Sequence, residues 1–242
     1  MNKSTFDRLK EMIIQVAEAL GTDILCKTAF VGGATTGFLL TDEFAQESVR
    51  STDDVDLIVS ALGYVQNAEF EQTLRERGFS EHPEDNVICR KWLNDIQVDF
   101  MPTDDTLGFT NRWYAAALEH AQDYELKPGL VIRLLTPAYF LATKLEAFNG
   151  RGTDFLWESR DLEDIVSLID GRDTLIEDIQ TADKDMLAYI STELDKLHHH
   201  ADFDYLLQSA TNGDEGRMEY LHEQIDSLIR LKNEQQINNS NI

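Results

Sequence analysis

The sequence is poor in several kinds of residue, and each scarcity excludes a class of protein. It has only two cysteines in 242 residues, Cys26 and Cys89, and they do not form a CxxC pair. A disulfide framework and a structural zinc site are therefore not expected, and a cytoplasmic location is the default. No apolar run approaches the roughly 20 residues that cross a bilayer. The segment MNKSTFDRLKEM also lacks the apolar core of a secretory signal, so we expect no membrane association.

Basic residues are scarce as well. The chain has 21 Lys and Arg against 45 Asp and Glu, which gives a formal net charge of −24. A surface this acidic repels polyanions, whereas proteins that bind nucleic acids usually carry a basic face. The charge lowers the expectation of nucleic acid as a substrate and favours small molecules or proteins, although an acidic chain can still carry a local basic groove. The hydrophobic content of 42% indicates a globular chain with a core.

The predicted elements divide the chain into two halves of different character. The predicted strands cover residues 27–31, 55–60 and a hairpin around Asn94 and Asp95 whose second strand ends at Pro102, and 126–135 is read as short and extended. The predicted helices cover 6–20, 67–77, 112–122, 136–148 and 162–169, with further helices to about Leu231. The fold class predicted is α+β, a mixed sheet flanked by helices and followed by a mainly helical half. The predicted divisions are 1–125, 126–235 and a disordered tail at 236–242.

The stretch RSTDDVDLIVS, residues 50–60, places acidic residues directly before an apolar strand. Because side chains alternate along a strand, Asp54 and Asp56 point to the same face and repel each other unless a cation lies between them. Mg²⁺ prefers a few carboxylates together with phosphate oxygens and water. The strand QVDFM supplies a third acid, Asp99, between apolar neighbours. The alternatives are a solvated start of the strand for the first two acids and an edge-strand surface position for the third.

A double glycine follows the first predicted strand. Gly32 and Gly33 lead from that strand into a short helix, in the sequence FVGGATTGFLL. Glycines let a backbone approach a phosphate closely, and a helix N-terminus offers free N–H groups. The motif is neither a Walker A loop nor GxGxxG. The alternative is a tight turn with a purely structural role.

Together these motifs resemble the nucleotidyltransferase superfamily with the DNA polymerase β-like fold. The resemblance rests on GG-x3-G, R-x-T-x-D-V-D-L and a distant strand aspartate, and it covers residues 25–101. That superfamily includes antibiotic nucleotidyltransferases, minimal nucleotidyltransferases and AbiEii-type abortive-infection toxins. The resemblance implies that residues 1–125 form the catalytic domain and that 126–235 complete the active-site cleft.

The resemblance also implies roles for individual residues. Gly32 and Gly33 would hold the triphosphate of a nucleoside triphosphate (NTP), the co-substrate. Asp54 and Asp56 would bind one Mg²⁺ or Mn²⁺ ion that orients the β- and γ-phosphates. Asp99 would share a second ion that activates the acceptor hydroxyl.

The resemblance also bears on further residues near these motifs. Arg50 and Thr52 stand where relatives carry an arginine and a small hydroxyl residue, and Arg50 either contacts phosphate or pairs with nearby acids. Many members have serine where Gly33 stands, and Thr35 or Thr36 is a candidate to replace that hydroxyl.

The second half carries a weaker signature. TPAYFLATKLEAFNGRG followed by ESRDLEDIVSL resembles the K-x-x-A…R…(K/R)D-x-x-D-[IL] pattern of AbiEii-type toxins. There Lys144 would meet nucleotide phosphate, Asp161 would orient Lys144 or the acceptor, and Arg151 and Arg160 would be further phosphate contacts. The alternatives are a surface lysine with a buried stem and an acid stabilised by the helix dipole. The run of histidines at 198–200 is read as an exposed turn.

The function predicted is metal-dependent transfer of a nucleoside monophosphate from an NTP to a hydroxyl acceptor, in the manner of an AbiEii-like toxin with an antitoxin partner. The acceptor is tRNA, a small molecule or a protein. The first alternative is an antibiotic nucleotidyltransferase, since a charge of −24 suits a cationic drug better than RNA. The second is a nucleotide-binding module without catalytic activity.

Overall fold

A seven-stranded mixed sheet organises the chain. The computed structural model describes residues 3–60, 68–82, 85, 87–105, 111–151 and 155–240. The strand order is β3-β4-β5-β2-β1-β7-β6. The strands are β1 (Thr28–Val31), β2 (Asp54–Val59), β3 (Phe79–Ser80), β4 (Arg90–Leu93), β5 (Ile96–Pro102), β6 (Gln122–Lys127) and β7 (Leu130–Leu134). The architecture is therefore mixed α/β, as the sequence predicted at this coarse level.

Helices pack around the sheet and form most of the second half. They are α1 (Thr5–Leu20), α2 (Thr22–Leu25), α3 (Thr36–Leu39), α4 (Glu43–Glu47), α5 (Ala68–Glu76), α6 (Tyr114–His120), α7 (Pro137–Arg151), α8 (Arg160–Gly171), α9 (Leu175–Gln180), α10 (Lys184–His198), α11 (Phe203–Ala210) and α12 (Glu215–Ser240). Short 3-10 turns cover Gly33–Thr35 and Leu156–Glu158. Asn67, where a helix was predicted to begin, lies outside the described residues.

Local sequence signals account for the elements that flank the site. Ser4 and Asp7 form a reciprocal capping box that starts α1, and Gly21 with φ +69° ends it. Asn94 takes a φ of +53°, which suits the two-residue loop between β4 and β5. Both the helix and the hairpin were predicted, as was the end of β5 at Pro102.

The sheet extends further along the chain than predicted. The boundary predicted between residues 125 and 126 falls inside β6, and β7 pairs with β1 in parallel. The sheet therefore continues to Leu134. Five of the six residues of β6 are exposed, so this strand lacks the apolar alternation by which a strand is predicted. The helix that was predicted to reach Gln122 ends at His120, because β6 begins at Gln122.

The last helix also differs from its prediction. α12 continues to Ser240, whereas a disordered tail was predicted from residue 236. The segment from Leu231 to Ser240 contains neither glycine nor proline, so no residue in it breaks the helix. Among the described residues, no helix combines the length and apolar composition that a membrane span requires.

The core lies on both sides of the sheet and fixes the strands that carry the acidic residues. Val55 and Leu57 of β2 are fully buried, as are Phe30 of β1 and Phe100 of β5. β1 and β2 are antiparallel, whereas β2 and β5 are parallel. The end of β1 therefore lies beside the start of β2, and the double glycine emerges next to the acidic residues.

Candidate active site

A cleft of about 500 Å³ opens where β1 ends and β2 begins. Nine of the ten residues predicted for the site line it: Gly32, Gly33, Arg50, Thr52, Asp54, Asp56, Asp99, Lys144 and Asp161. The exception is Thr35, which is buried and donates its hydroxyl to the carbonyl of Gly32 at 2.8 Å. The structure thus brings together residues that are separated by more than 100 positions in the chain.

Three carboxylates converge at the centre of the cleft. Asp56 of β2 lies directly opposite Asp99 of β5, and Asp54 lies two residues before Asp56 on the same face. Each offers a carboxylate oxygen, and these oxygens lie within 4.8 Å of one another. Asp99 is buried, while Asp54 and Asp56 are half-buried.

The convergence of negative charge perturbs the middle acid. Burial, followed by the charges of Asp54 and Asp99, raises the pKa of Asp56 from 3.8 to about 7. Three carboxylates at this spacing therefore cannot all ionise without cost. A divalent cation between them would remove that cost, and the donor set of three carboxylate oxygens is the type that Mg²⁺ and Mn²⁺ prefer. The residues present therefore fit such an ion.

One of the three acids has a second partner. Arg90 of β4 contacts Asp99 in a bidentate pair, with Nε to Oδ1 and Nη2 to Oδ2 both at 2.8 Å. Bidentate contacts of this kind fix the orientation of a carboxylate. Arg90 thus holds Asp99 in place and offsets part of the negative charge at the centre.

The double glycine allows a close approach on either side of the turn. Gly32 has φ +80°, and a Cβ there would lie 1.9 Å from Oδ2 of Asp56. A Cβ on Gly33 would lie 2.1 Å from Nη2 of Arg50. A side chain at either position would therefore displace a cleft residue. Thr36 does not face the cleft either, because its hydroxyl donates to Asp164 at 3.2 Å.

A buried ion-pair network supports the cationic wall of the cleft. Asp164, whose side chain is 1% exposed, accepts a bidentate contact from Arg50 at 2.8 Å and contacts Nζ of Lys144 at 2.6 Å. Burial alone would raise the pKa of Asp164, but Lys144 and Arg50 lower it below its usual value. Arg50 therefore pairs with an acid and also lines the cleft, so the two alternatives considered for it are not exclusive.

Lys144 is further held by the acid predicted to orient it. Its Nζ contacts Oδ1 of Asp161 at 3.1 Å, and the other oxygen of Asp161 contacts Nη1 of Arg151 at 2.8 Å. Burial alone would lower the pKa of Lys144, but Asp164 and Asp161 raise it, so the ammonium stays charged. Arg151 and Arg160 line the cleft with exposed side chains.

The cleft concentrates positive charge in an acidic protein. Five of the 21 basic residues line it, against four aspartates. The five are Arg50, Arg90, Lys144, Arg151 and Arg160. The chain as a whole has twice as many acids as bases, so this local balance is unusual and suits an anionic ligand held together with a cation.

The wall beside Asp99 is less polar. Val87, Cys89 and Met101 line the cleft there, and Tyr114 lines it near Asp56. Burial and the charge of Asp99 raise the pKa of Cys89 to about 12, so this thiol is not a nucleophile. Burial and the charge of Asp56 also raise the pKa of Tyr114, which keeps its hydroxyl protonated.

Sequence reasoning missed three members of this site. Arg90, Tyr114 and Asp164 were not predicted as site residues, although the two-residue loop of the predicted hairpin places Arg90 opposite Asp99 by counting. Asp164 entered the sequence analysis only as the last acid of the D-x-x-D pattern in the second half. No sequence pattern indicated Tyr114, because its position in the cleft depends on how α6 packs against the rest of the fold. Thr52, which was predicted, donates a hydrogen bond to Asp54.

The run of histidines lies away from this cleft. His199 and His200 are exposed at the end of α10, as predicted, and His198 contacts Asp226 at 3.1 Å. Within the described residues, the only group of three or more ligating side chains close enough to hold a metal ion is the Asp54, Asp56 and Asp99 cluster. Comparison with protein-family models and with curated proteins finds no match to the chain.

Proposed function

We propose that the protein is a metal-dependent nucleotidyltransferase, which transfers a nucleoside monophosphate from an NTP to a hydroxyl acceptor. The observation that carries the proposal is the convergence of Asp54, Asp56 and Asp99 within 4.8 Å, next to a glycine turn and a cationic wall. A carboxylate cluster alone suits many cations. The adjoining cationic wall supports a phosphate-bearing ligand in particular.

The proposed roles follow from the positions of the side chains. The triphosphate would lie beside Gly32 and Gly33, which line the cleft and where a Cβ would displace Asp56 or Arg50. Lys144, Arg151 and Arg160 would offset its charge, with Asp161 holding Lys144 and Arg151 in position. Asp54, Asp56 and Asp99 would hold Mg²⁺ or Mn²⁺, which when bound stabilises charge on the phosphates and acidifies an acceptor hydroxyl.

Positioning accounts for most of the catalysis expected here. Asp99 lies two residues before Met101 on the same face of β5, so an acceptor hydroxyl would approach from that side, beside Met101. Arg90 fixes the orientation of Asp99 through both of its oxygens. Ordered charges of this kind contribute more to phosphoryl-group transfer than covalent participation of the protein does.

The acceptor proposed is a hydroxyl of tRNA, a small molecule or a protein, and an antitoxin is the proposed partner if the chain is a toxin. Expression in a bacterial host separates these cases. Growth arrest that disappears with Asp56→Ala supports a toxin, whereas antibiotic resistance that disappears with the same change supports a small-molecule enzyme. If neither phenotype occurs, both of these versions are contradicted.

Transfer is tested with the four α-labelled NTPs and Mg²⁺, using total tRNA, cell protein and an aminoglycoside panel as acceptor pools. We expect label incorporation and pyrophosphate release with one pool, and loss of both with Asp54→Ala or Asp56→Ala. Asp53→Asn is the matched control, because Asp53 is the exposed acid directly before the cluster. Binding of NTP without transfer in any pool would favour the non-catalytic module.

A further inference from the structure

Three aromatic side chains, on the segment before α8 and on α11, are exposed and have no role in the site described above. Phe155, Trp157 and Tyr205 are 45%, 38% and 60% exposed. The rings of Phe155 and Trp157 stack with centroids 4.8 Å apart, and Tyr205 meets Trp157 edge-on at 5.9 Å. Single exposed apolar residues are ordinary, but a contiguous group on the surface indicates a binding surface.

The chain connects this aromatic group directly to the cationic wall of the cleft. Trp157 belongs to the 3-10 turn Leu156–Glu158, which precedes Arg160. Three residues of extended chain reach at most about 11 Å, so the Cα atoms of Trp157 and Arg160 lie within that distance of each other. Arg160 and Arg151 both line the cleft and are exposed, which places them on its solvent side.

The turn itself is firmly anchored. Leu156 is 4% exposed and points into the core, while the residues on either side of it carry the exposed rings. Ser159 caps α8 by accepting a hydrogen bond from the backbone of Leu162, which fixes the chain between the turn and Arg160. The exposed rings are therefore presented by an ordered segment, which lowers the entropic cost of binding a ligand.

We propose that Trp157 and Tyr205, together with Phe155, form a stacking platform for a nucleobase beside the cleft. The inference rests on the proposed function and extends it by naming where a base is held. Exposed aromatic faces next to cationic side chains are the arrangement that binds bases together with their phosphates. The base is that of the NTP, because a net charge of −24 disfavours a nucleic-acid strand, and a base of the acceptor is an alternative outcome of the test.

The neighbouring charge favours a nucleotide over a protein partner. Arg151 and Arg160 flank the aromatic segment in sequence, in a chain whose net charge is −24. Binding of a protein to the aromatic side chains alone would not involve these two cations, which line the cleft. A nucleotide needs both a ring face and a phosphate contact, and this segment offers them within a few residues.

The test compares ligands with and without a base, all in Mg²⁺. Calorimetry measures ATP and inorganic tripolyphosphate, and fluorescence anisotropy measures a labelled four-nucleotide RNA and its abasic counterpart. The variants are Trp157→Ala, Tyr205→Ala and the conservative Trp157→Phe. Phe44→Ala is the matched control, because Phe44 is 67% exposed on α4. Unchanged thermal melting verifies that each variant folds.

Weaker ATP binding would support the platform with the NTP as its occupant, whereas weaker RNA binding alone would overturn that assignment. In the first case, Trp157→Ala weakens ATP binding about tenfold or more and leaves tripolyphosphate binding unchanged, while Trp157→Phe binds ATP nearly as well as the wild type. The base then belongs to the NTP. If ATP binding is unchanged but the RNA binds about tenfold more weakly and the abasic strand does not, the base belongs to the acceptor. Phe44→Ala should change neither affinity.

Two other results would contradict either the platform alone or the proposed function as a whole. If Trp157→Ala and Tyr205→Ala leave both ATP and RNA binding unchanged while the wild-type protein binds ATP, the platform is refuted and the proposed function stands. The patch would then be assigned to a protein partner. If the wild-type protein binds neither ATP nor tripolyphosphate, the proposed function itself fails.

Discussion

Asp56→Asn is expected to make the metal-free protein more stable while abolishing nucleotidyl transfer. The folded chain raises the pKa of Asp56 from 3.8 to about 7, because burial and the charges of Asp54 and Asp99 disfavour its ionisation. Asparagine has nearly the same shape and carries no charge. The substitution therefore removes the electrostatic cost and also removes a proposed metal ligand.

The sign and size of the effect follow from linkage. Between pH 4 and pH 7 the folded state retains a proton that the unfolded state has released, so the unfolding free energy of the wild type falls as pH rises. Each pH unit corresponds to about 1.4 kcal/mol, which gives about 4 kcal/mol for a fully enclosed carboxyl. Asp56 is half-buried, and solvent screening reduces this to about 2 kcal/mol at pH 8.

Urea unfolding between pH 5 and pH 8.5, with EDTA present, measures this difference. We expect Asp56→Asn to exceed the wild type in stability by an amount that grows with pH and levels off above pH 7. Adding Mg²⁺ should stabilise the wild type and leave the variant unchanged. Asp53→Asn should show no such gap. A variant that is less stable than the wild type at pH 8, or a gap that does not depend on pH, would refute the reasoning.

Three further substitutions test other parts of the site. Gly32→Ala should lower the free energy of unfolding by at least about 2 kcal/mol and weaken ATP binding, because φ is +80° and the new Cβ would meet Asp56. Thermal melting measures the first effect and calorimetry the second. Asp164→Ala should cost about 3–5 kcal/mol in urea unfolding, since it leaves Arg50 and Lys144 without their buried partner, and little change would contradict the network. Arg90→Met should cost about 2 kcal/mol in EDTA and less in Mg²⁺, because a cation can replace the lost guanidinium beside Asp99; an equal loss in both conditions would contradict this.

The sequence predicted the site better than the full extent of the sheet. Asp54 and Asp56 could be found because strand alternation is strict and two acids on one face of an apolar strand are unusual. Asp99 could be found because an acid between Val98 and Phe100 is costly without a partner. β6 was missed for the opposite reason, since an exposed edge strand carries no apolar alternation.

Side-chain partners were the part that sequence reasoning could least predict. The pairing of Arg50 with Asp164 joins residues 114 positions apart, and it depends on how α8 packs against the glycine turn. Arg90 could have been predicted, because the length of the hairpin loop places it opposite Asp99. The aromatic group depends on α11 meeting the turn before α8, a contact that no local pattern encodes.

The central claim is that the three aspartates form a metal-dependent nucleotide site. Calorimetric titration of the wild-type protein with a non-hydrolysable ATP analogue, with Mg²⁺ and then with EDTA, tests it most directly. We predict binding that requires Mg²⁺, that is lost in the Asp54→Asn, Asp56→Asn double variant, and that persists in Asp53→Asn. Absence of binding by the wild type, or equal binding by the double variant, would contradict the claim.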